Sequence, residues 1–587
     1  MASSRVLNHT GTALGLTLFM LVGCNAIVGL DKLEVSNQRA DSAGSNSGGR
    51  PNNEDGGSAG RAGTGNPEGG TGARPIDEPG GEGGMGGAVE PGDCTTNQEC
   101  TDRFSEGTDD MGEAGGKGVV PGACIKQPIP HCVQLLTEDC DGITGDYTND
   151  RAIFVGSLFS TKGPTAATNL PRQQAAALGI EQINMAGGVP AGNTSANARP
   201  LVMVSCDEST NLARAATHLV GDLHVPAIVG PNTSQDTLDV STKVTVPGGT
   251  VVMSPTGVAS SIAALSDNDL TWLMVPSDVQ RAPLMINQIG VLESTVKSER
   301  SKSSAKLGIV FRNDALGIGT RTALNDLTFN GKSLANNENV QISPYNGADA
   351  DQQALVAKYL EFLPDIIVLA GTAEAISKVM VPLETQWPKN GSDQDLTPRP
   401  YYVLIDSTKV PELLTAVTSN GHDLAKRVRG TGINPGPMGS DSADTYNGFL
   451  VDYGVRYNGA SATISGMGPA HDAAYAIGLA LAATNGEEVS GASVAAGLRK
   501  LAGGATKLKV TGPNVLPAFQ KLVAGEKITA IGTFGALDWD PNGAVVGGTL
   551  EMWCIGGTTA KPAYASSGLL FDIGTQTMSG TYTPCTP

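Results

Sequence analysis

The amino-acid sequence predicts an α/β protein whose folded part consists of two doubly wound parallel-sheet lobes. Three observations predict this. Short, continuous apolar runs recur from residue 151 onward, amphipathic stretches of helical length separate them, and small polar residues gather after the runs. A strand covered on both faces reads as an uninterrupted apolar run, and alternation with helices is the signature of a parallel sheet with both faces packed. Two successive series of this kind imply two lobes.

Ahead of residue 151 the texture differs. Arg5 precedes an apolar stretch, residues 13–22, that is too short to span a bilayer, which takes about 20 apolar residues. It has the form of an export signal, residues 1–23. The stretch ends in Leu21-Val22-Gly23-Cys24, which resembles the lipobox of bacterial lipoproteins, with Cys24 as the thiol that takes the lipid. The alternative is an ordinary signal peptide followed by an unrelated Cys. The expectation is export and lipid anchoring to a bacterial membrane, on its periplasmic or cell-surface face. Residues 24–93 are dominated, from Ser36 on, by Gly, Ser, Asn, Glu and Pro. Such a composition buries too little surface to offset ordering entropy, so a disordered tether is expected. No later run has the length and apolarity of a transmembrane helix.

Export changes the meaning of the cysteines. Cys94, Cys100, Cys124, Cys132, Cys140, Cys206, Cys554 and Cys585 form an even set suited to disulfides in an oxidising compartment. A zinc site competes, but no second CxxC-type pair or suitable His accompanies them. Five of the eight crowd between Cys94 and Cys140, so at least one bridges outward or stays free. Cys140 to Cys206 is the expected outward bridge. Residues 94–150 are expected to be a small Cys-rich segment held by its bridges, a spacer or a contact module.

From residue 151 the elements follow in order. Residues 152–156 form the first strand and 172–184 a helix stopped by Gly187-Gly188. A strand at 201–204 and a helix at 211–223 come next, then strands at 227–230 and 250–253. The pattern resumes with strands at 307–311, 366–369 and 402–405. In doubly wound sheets ligands lie beyond the carboxyl ends of the strands, so the loops after these runs carry the candidate site.

Charge and motif searches narrow the function. The formal net charge is −19, from 39 Lys and Arg against 58 Asp and Glu, which argues against a nucleic-acid partner and serves solubility. The six histidines do not pair with Cys, Glu or Asp at metal-ligand spacing. His471-Asp472 opens an apolar helix at 473–483 and reads as a packed or capping pair. There is no G-x-S-x-G elbow and no P-loop. No enzyme activity, cofactor or metal is expected.

The loop motifs carry a resemblance. Gly163-Pro164, then 183–189 (INMAGGV), 228–234 (IVGPNTS), 253–257 (MSPTG) and 275–278 (VPSD) occur in that order, and 535–543 (GALDWDPNG) follows near the end. In order and spacing they resemble the leucine/isoleucine/valine-binding protein family, the type I periplasmic substrate-binding proteins of ABC importers, over about residues 153–555. The resemblance implies the type I periplasmic-binding-protein fold, with lobes joined by a three-crossover hinge. Crossings are expected near 276–281, near 429–434 and close to Thr533. Lobe 1 would then comprise 151–280 and 430–532, and lobe 2 would comprise 281–429 and 533–587. It further implies a monomer that captures a small polar ligand (an amino acid, amide or small carboxylate), with an ABC permease as a candidate partner.

The family's site maps onto named positions. Ser234 matches the carboxylate seat, with Thr233 beside it, where a hydroxyl and free N–H groups at a helix start suit an anion. The plainer reading is that both cap the helix. Thr256, Gly257 and Val258 follow the next strand, where the family offers backbone groups to the ligand; the plainer reading is a strand-to-helix turn. Asp406 matches the acid that pairs with the ligand ammonium, or else caps a helix starting near Val410. Gly371 and Thr372 end the neighbouring strand. Two departures stand out: Val258 replaces a Thr hydroxyl, and the aromatic that often covers the ligand is replaced near Thr168. Losing one hydrogen bond to a charged group costs about 1.5–3 kcal/mol, so a plain branched-chain amino acid is not expected. A rival within the same fold is a sensory or partner-activating lipoprotein uncoupled from transport, which the long tether and Cys-rich insert favour.

Overall fold

The computed structural model describes residues 94–106, 118–192 and 198–585, except 348, 422 and 487, all within the unit Gly86–Pro587. The expected signal peptide, Cys24 and the tether lie outside the described residues. The first sheet holds β1 (Cys140–Thr144), β2 (Ile153–Phe159), β3 (Leu201–Asp207), β4 (Ala227–Val229), β5 (Val251–Ser254) and β6 (Thr271–Leu273). Their spatial order is β1-β3-β2-β4-β5-β6. All pairs are parallel except β1 on β3, which is antiparallel. Every residue of β3, β4 and β5 is buried, as uninterrupted apolar runs require of strands packed on both faces. Chain direction across the sheet reverses between β2 and β4, and such a switch point opens a crevice at the strands' carboxyl ends.

One face of this sheet carries helix α1 (Ala166–Met185). The short helix α2 (Ser234–Val240) follows β4. After β6 the chain leaves through helix α3 (Asp278–Glu299), started by a reciprocal Ser277–Gln280 capping box. The second sheet holds β7 (Leu307–Arg312), β8 (Val340–Tyr345), β9 (Ile366–Ala370), β10 (Tyr401–Leu404), β11 (Val428–Asn434), β12 (Thr549–Thr558), β13 (Lys561–Asp572) and β14 (Thr577–Ser579). Their order is β8-β7-β9-β10-β11-β12-β13-β14. Helix α4 (Ala315–Ala323) follows β7. The chain then returns to the first lobe, where helix α5 (Met467–Ala483) is buried along its whole length. A Cβ on Gly478 would lie 2.4 Å from Ile183 of α1, so glycine lets the two helices approach.

Two expectations are corrected. The sheets are mixed rather than wholly parallel: β12, β13 and β14 run antiparallel beside β11. Much of β13 is exposed on one face, which antiparallel strands tolerate and which breaks the continuous apolar pattern. The crossings also shift. All of β11 pairs in the second sheet, so the second crossing comes after Asn434. The third comes well past Thr533: Trp539 still belongs to the first lobe, its ring edge-on to Trp272 at 5.2 Å and its indole N–H donating to the Leu273 carbonyl at 2.8 Å. The chain rejoins the second sheet at β12.

Four disulfides join Cys94–Cys124, Cys100–Cys132, Cys140–Cys206 and Cys554–Cys585. The outward bridge is the expected one, tying β1 to β3. Residues 94–150 are thus less separate than their composition suggests, because their last strand belongs to the first sheet. Among the described residues, no helix is long and apolar enough to cross a membrane.

Candidate functional site

The loops at the carboxyl ends of the two sheets meet. Gln235 Oε1, at the start of α2, accepts from the Ala315 N–H at the start of α4, 3.3 Å away. Behind this contact the first-lobe wall is built on Asn232. The loop reaches it through Gly230, whose φ of 109° and 2.1 Å separation between a built Cβ and the Leu158 carbonyl oxygen admit only glycine. The Asn232 side-chain oxygen accepts from Arg172 Nη1 at 2.9 Å and from the Thr256 hydroxyl at 2.8 Å. Arg172 Nε donates to the Ser465 carbonyl at 2.7 Å, and its Nη1 also reaches Asn169 Oδ1 at 2.8 Å. Three segments therefore lock one guanidinium. Desolvation between the lobes lowers its pKa to about 10, against the opposing pull of the Asp406 carboxylate.

The hydroxyls of this wall mostly serve the backbone. Thr233 caps α2, accepting from the Asp236 N–H at 3.0 Å and donating to its carboxylate at 2.5 Å. Ser234 is buried, and its Oγ accepts from the N–H groups of Val258 (3.0 Å) and Ala259 (3.2 Å). The Gly257 N–H donates to Ser254 Oγ at 3.1 Å. Thr168 is half-buried on α1, one turn before Arg172. At the end of β3, Glu208 is 5% exposed; its Oε1 accepts from Ser160 at 3.1 Å, while Oε2 has no hydrogen-bond partner among the described residues. Burial, with Asp236 nearby, pushes its pKa up to about 8, so the acid is largely neutral at pH 7.

The second-lobe wall is charged. At the end of β7, Arg312 donates to Asp314 Oδ2 (2.6 Å), Thr372 Oγ1 (2.9 Å) and Glu374 Oε1 (3.1 Å), and Tyr345 also donates to Glu374 at 2.9 Å. Burial opposes ionisation of both Arg312 and Glu374. Their attraction wins, holding the arginine above and the glutamate below its ordinary pKa. Thr372 is thus a member of this network. Asp406 opens a single 3-10 turn and does not cap the next helix, whose N-cap is Val410. Its carboxylate pairs with Arg281 Nη1 at 2.5 Å. Arg281, 3% exposed on α3, also donates from Nε to the Pro276 carbonyl at 2.9 Å.

Val258 of the first lobe and Asp406 of the second line one hollow, together with Arg281, Asp278, Met285 and Leu324. Ser234 stands directly behind Val258. Of the expected positions, Val258 and Asp406 share the hollow, Thr256 braces Asn232 under Arg172, and Thr372 lies in the Arg312 network. Thr233, Ser234 and Gly257 hold the loops. Sequence reasoning did not single out Arg172, Arg281, Glu208 or Arg312. The available signal was position: Arg281 lies three residues past the VPSD motif, and Arg312 and Glu208 stand at strand ends. His471-Asp472 is a packed pair, as expected: His471 Nε2 lies 3.0 Å from Gln182 Oε1, and Asp472 accepts from the Thr533 N–H at 2.7 Å.

Two lobes of this topology, with a cleft at the strands' carboxyl ends, define the type I periplasmic-binding-protein fold. No protein-family model matches the chain, and no curated protein matches it. Solved structures do. A leucine-binding protein from Thermotoga maritima superposes with a TM-score of 0.50 at 14% identity, covering 70% of this chain and 98% of its own. A branched-chain amino acid transporter substrate-binding protein from Streptococcus pneumoniae, in complex with isoleucine, gives 0.48 at 18% identity, over 71% and 99%. A periplasmic binding protein type 1 from Bordetella pertussis gives 0.48 at 16%, over 71% and 100%.

Proposed function

We propose that this chain is an exported solute-binding protein that closes two lobes around one small polar molecule and performs no chemistry on it. The observation that carries the reading is the shared hollow, to which Val258 brings the first lobe and Asp406 the second. A ligand held by both walls stabilises only the closed arrangement, so binding energy becomes lobe closure. The four disulfides support an oxidising compartment outside the cytoplasm. Cys24 is the proposed lipid-bearing residue and an ABC permease the proposed partner, with the protein acting as a monomer.

A thermal-shift panel of amino acids, amides and small carboxylates on the full chain tests this. At 100 times its dissociation constant a true ligand stabilises by about 2.7 kcal/mol. A panel with no hit, on protein whose disulfides are intact, removes the reading. Cys24→Ser should release the protein from membranes, and persistent attachment removes the anchor. A second reading, the same fold serving a sensory or partner-activating role, draws support from the disulfide-stapled segment at 94–134. It docks on the first lobe through Gln127, which donates to Glu488 at 2.8 Å, and through Asn97, which donates to the Tyr147 carbonyl at 2.9 Å.

A further inference from the structure

Resting on that solute-binding reading, we infer that the enclosed ligand is a small carboxylate with a short apolar body and no free ammonium, its anionic head seated on Arg281 and Arg172. The first ground is that the acid suited to an ammonium is already taken. Asp406 is paired at 2.5 Å with a guanidinium of its own chain, and an incoming ammonium would have to displace a cation tethered in place. The second ground is an unmet donor. Arg281 is 3% exposed, lines the hollow, and its Nη2 has no hydrogen-bond partner among the described residues. Buried N–H groups are ordinarily satisfied, and a guanidinium fork matches a carboxylate with two parallel bonds.

Charge bookkeeping agrees. Arg172 and Arg281 carry two positive charges against one on Asp406, leaving an excess of one. The remaining neighbour, Asp278, is 3% exposed with neither oxygen in a well-formed hydrogen bond, and burial pushes its pKa up to about 7 despite Arg281. A carboxyl of that kind is protonated for part of the time at neutral pH and then donates to an anion. The rest of the hollow is apolar: Val258, Ala282, Met285, Ala323, Leu324 and Ile405. A short hydrocarbon body suits this lining, and Val258 presents a methyl surface where a hydroxyl would have faced an ammonium.

The test is isothermal titration of the full chain at pH 7 with matched probes: propanoate, 3-methylbutanoate and 4-methylpentanoate against alanine, valine and leucine, with the corresponding amines as a third arm. The expected result is that at least one carboxylate binds tenfold or more tightly than its α-amino counterpart, and that no amine binds. Arg281→Lys keeps the charge and loses the fork, so it should weaken that carboxylate at least tenfold while far-UV circular dichroism and melting temperature stay near the parent's. Arg172→Gln, on the opposite wall, should weaken it as well. Tighter binding of an amino acid than of its deaminated partner overturns the inference, and so does carboxylate binding that neither variant weakens. If no probe binds, the inference falls, and the broader panel described above separately decides whether solute binding falls with it.

Discussion

The two walls of the cleft are built from different materials. On the first lobe, hydroxyls and loop amides satisfy one another: Thr233 caps its helix, Ser234 accepts from two N–H groups, and Thr256 braces Asn232. On the second lobe, charged groups pair: Arg281 with Asp406, and Arg312 with Asp314 and Glu374. The first wall sets loop geometry, and the second sets which charge is welcome. A resemblance carried by glycines, prolines and hydroxyls therefore reports the scaffold, while ligand class rests on residues those motifs omit.

The largest expected effect comes from breaking the charged wall. Asp406→Ala would leave Arg281 buried without its partner, and losing one member of a buried pair costs about 3–5 kcal/mol. Urea unfolding should show that loss, and the double variant Arg281→Met with Asp406→Leu should recover most of it. Equal losses in the single and double variants would mean that the pair is not a unit.

Next in size is a pH effect from the first wall. Glu208 has its folded pKa raised from 4.5 to about 8 by burial. The folded state therefore holds a proton that the unfolded state releases. The stabilising difference is full below about pH 4.5 and is lost as pH rises through 8, with a slope of at most about 1.4 kcal/mol per pH unit in that window. Glu208→Gln should flatten the stability profile between pH 5 and 8 and be more stable than the parent at pH 8. An unchanged slope would place the titration elsewhere.

Ser234 sharpens the comparison at smaller scale. Ser234→Ala strands the Val258 and Ala259 N–H groups, and unsatisfied buried donors cost about 1–3 kcal/mol. Because its oxygen already serves the backbone, stability without ligand should fall by that amount. A variant that loses affinity at unchanged stability would return Ser234 to direct ligand contact.

Much of the fold was legible from apolar runs, because strands such as β3 and β9 are buried at every position. β11 was not, since Arg429, Gly430, Thr431 and Gly432 look like a loop. Gly430 is small for a tertiary reason: a Cβ there would lie 2.2 Å from the Trp553 ring, and Trp553 is far away in sequence. The candidate site divides the same way. Loop hydroxyls announce themselves through local spacing. The meaning of Arg172 depends on Asn232 and Ser465, and that of Asp406 on Arg281, partners brought together only by the fold.

The smallest effect is expected at Thr168, and it isolates the role of Arg172. Both lie on the same face of α1, one turn apart, but Arg172 is fixed by Asn169, Asn232 and Ser465. Thr168, by contrast, keeps part of its surface in solvent. Substitutions away from buried networks usually change stability by no more than about 0.5 kcal/mol. Thr168→Ala should therefore leave both the unfolding midpoint and the affinity for a carboxylate probe within about twofold of the parent, as read by titration calorimetry. A tenfold loss there would mean that the ligand reaches past Arg172 toward the mouth of the cleft, and the anion seat would have to be redrawn one helical turn outward.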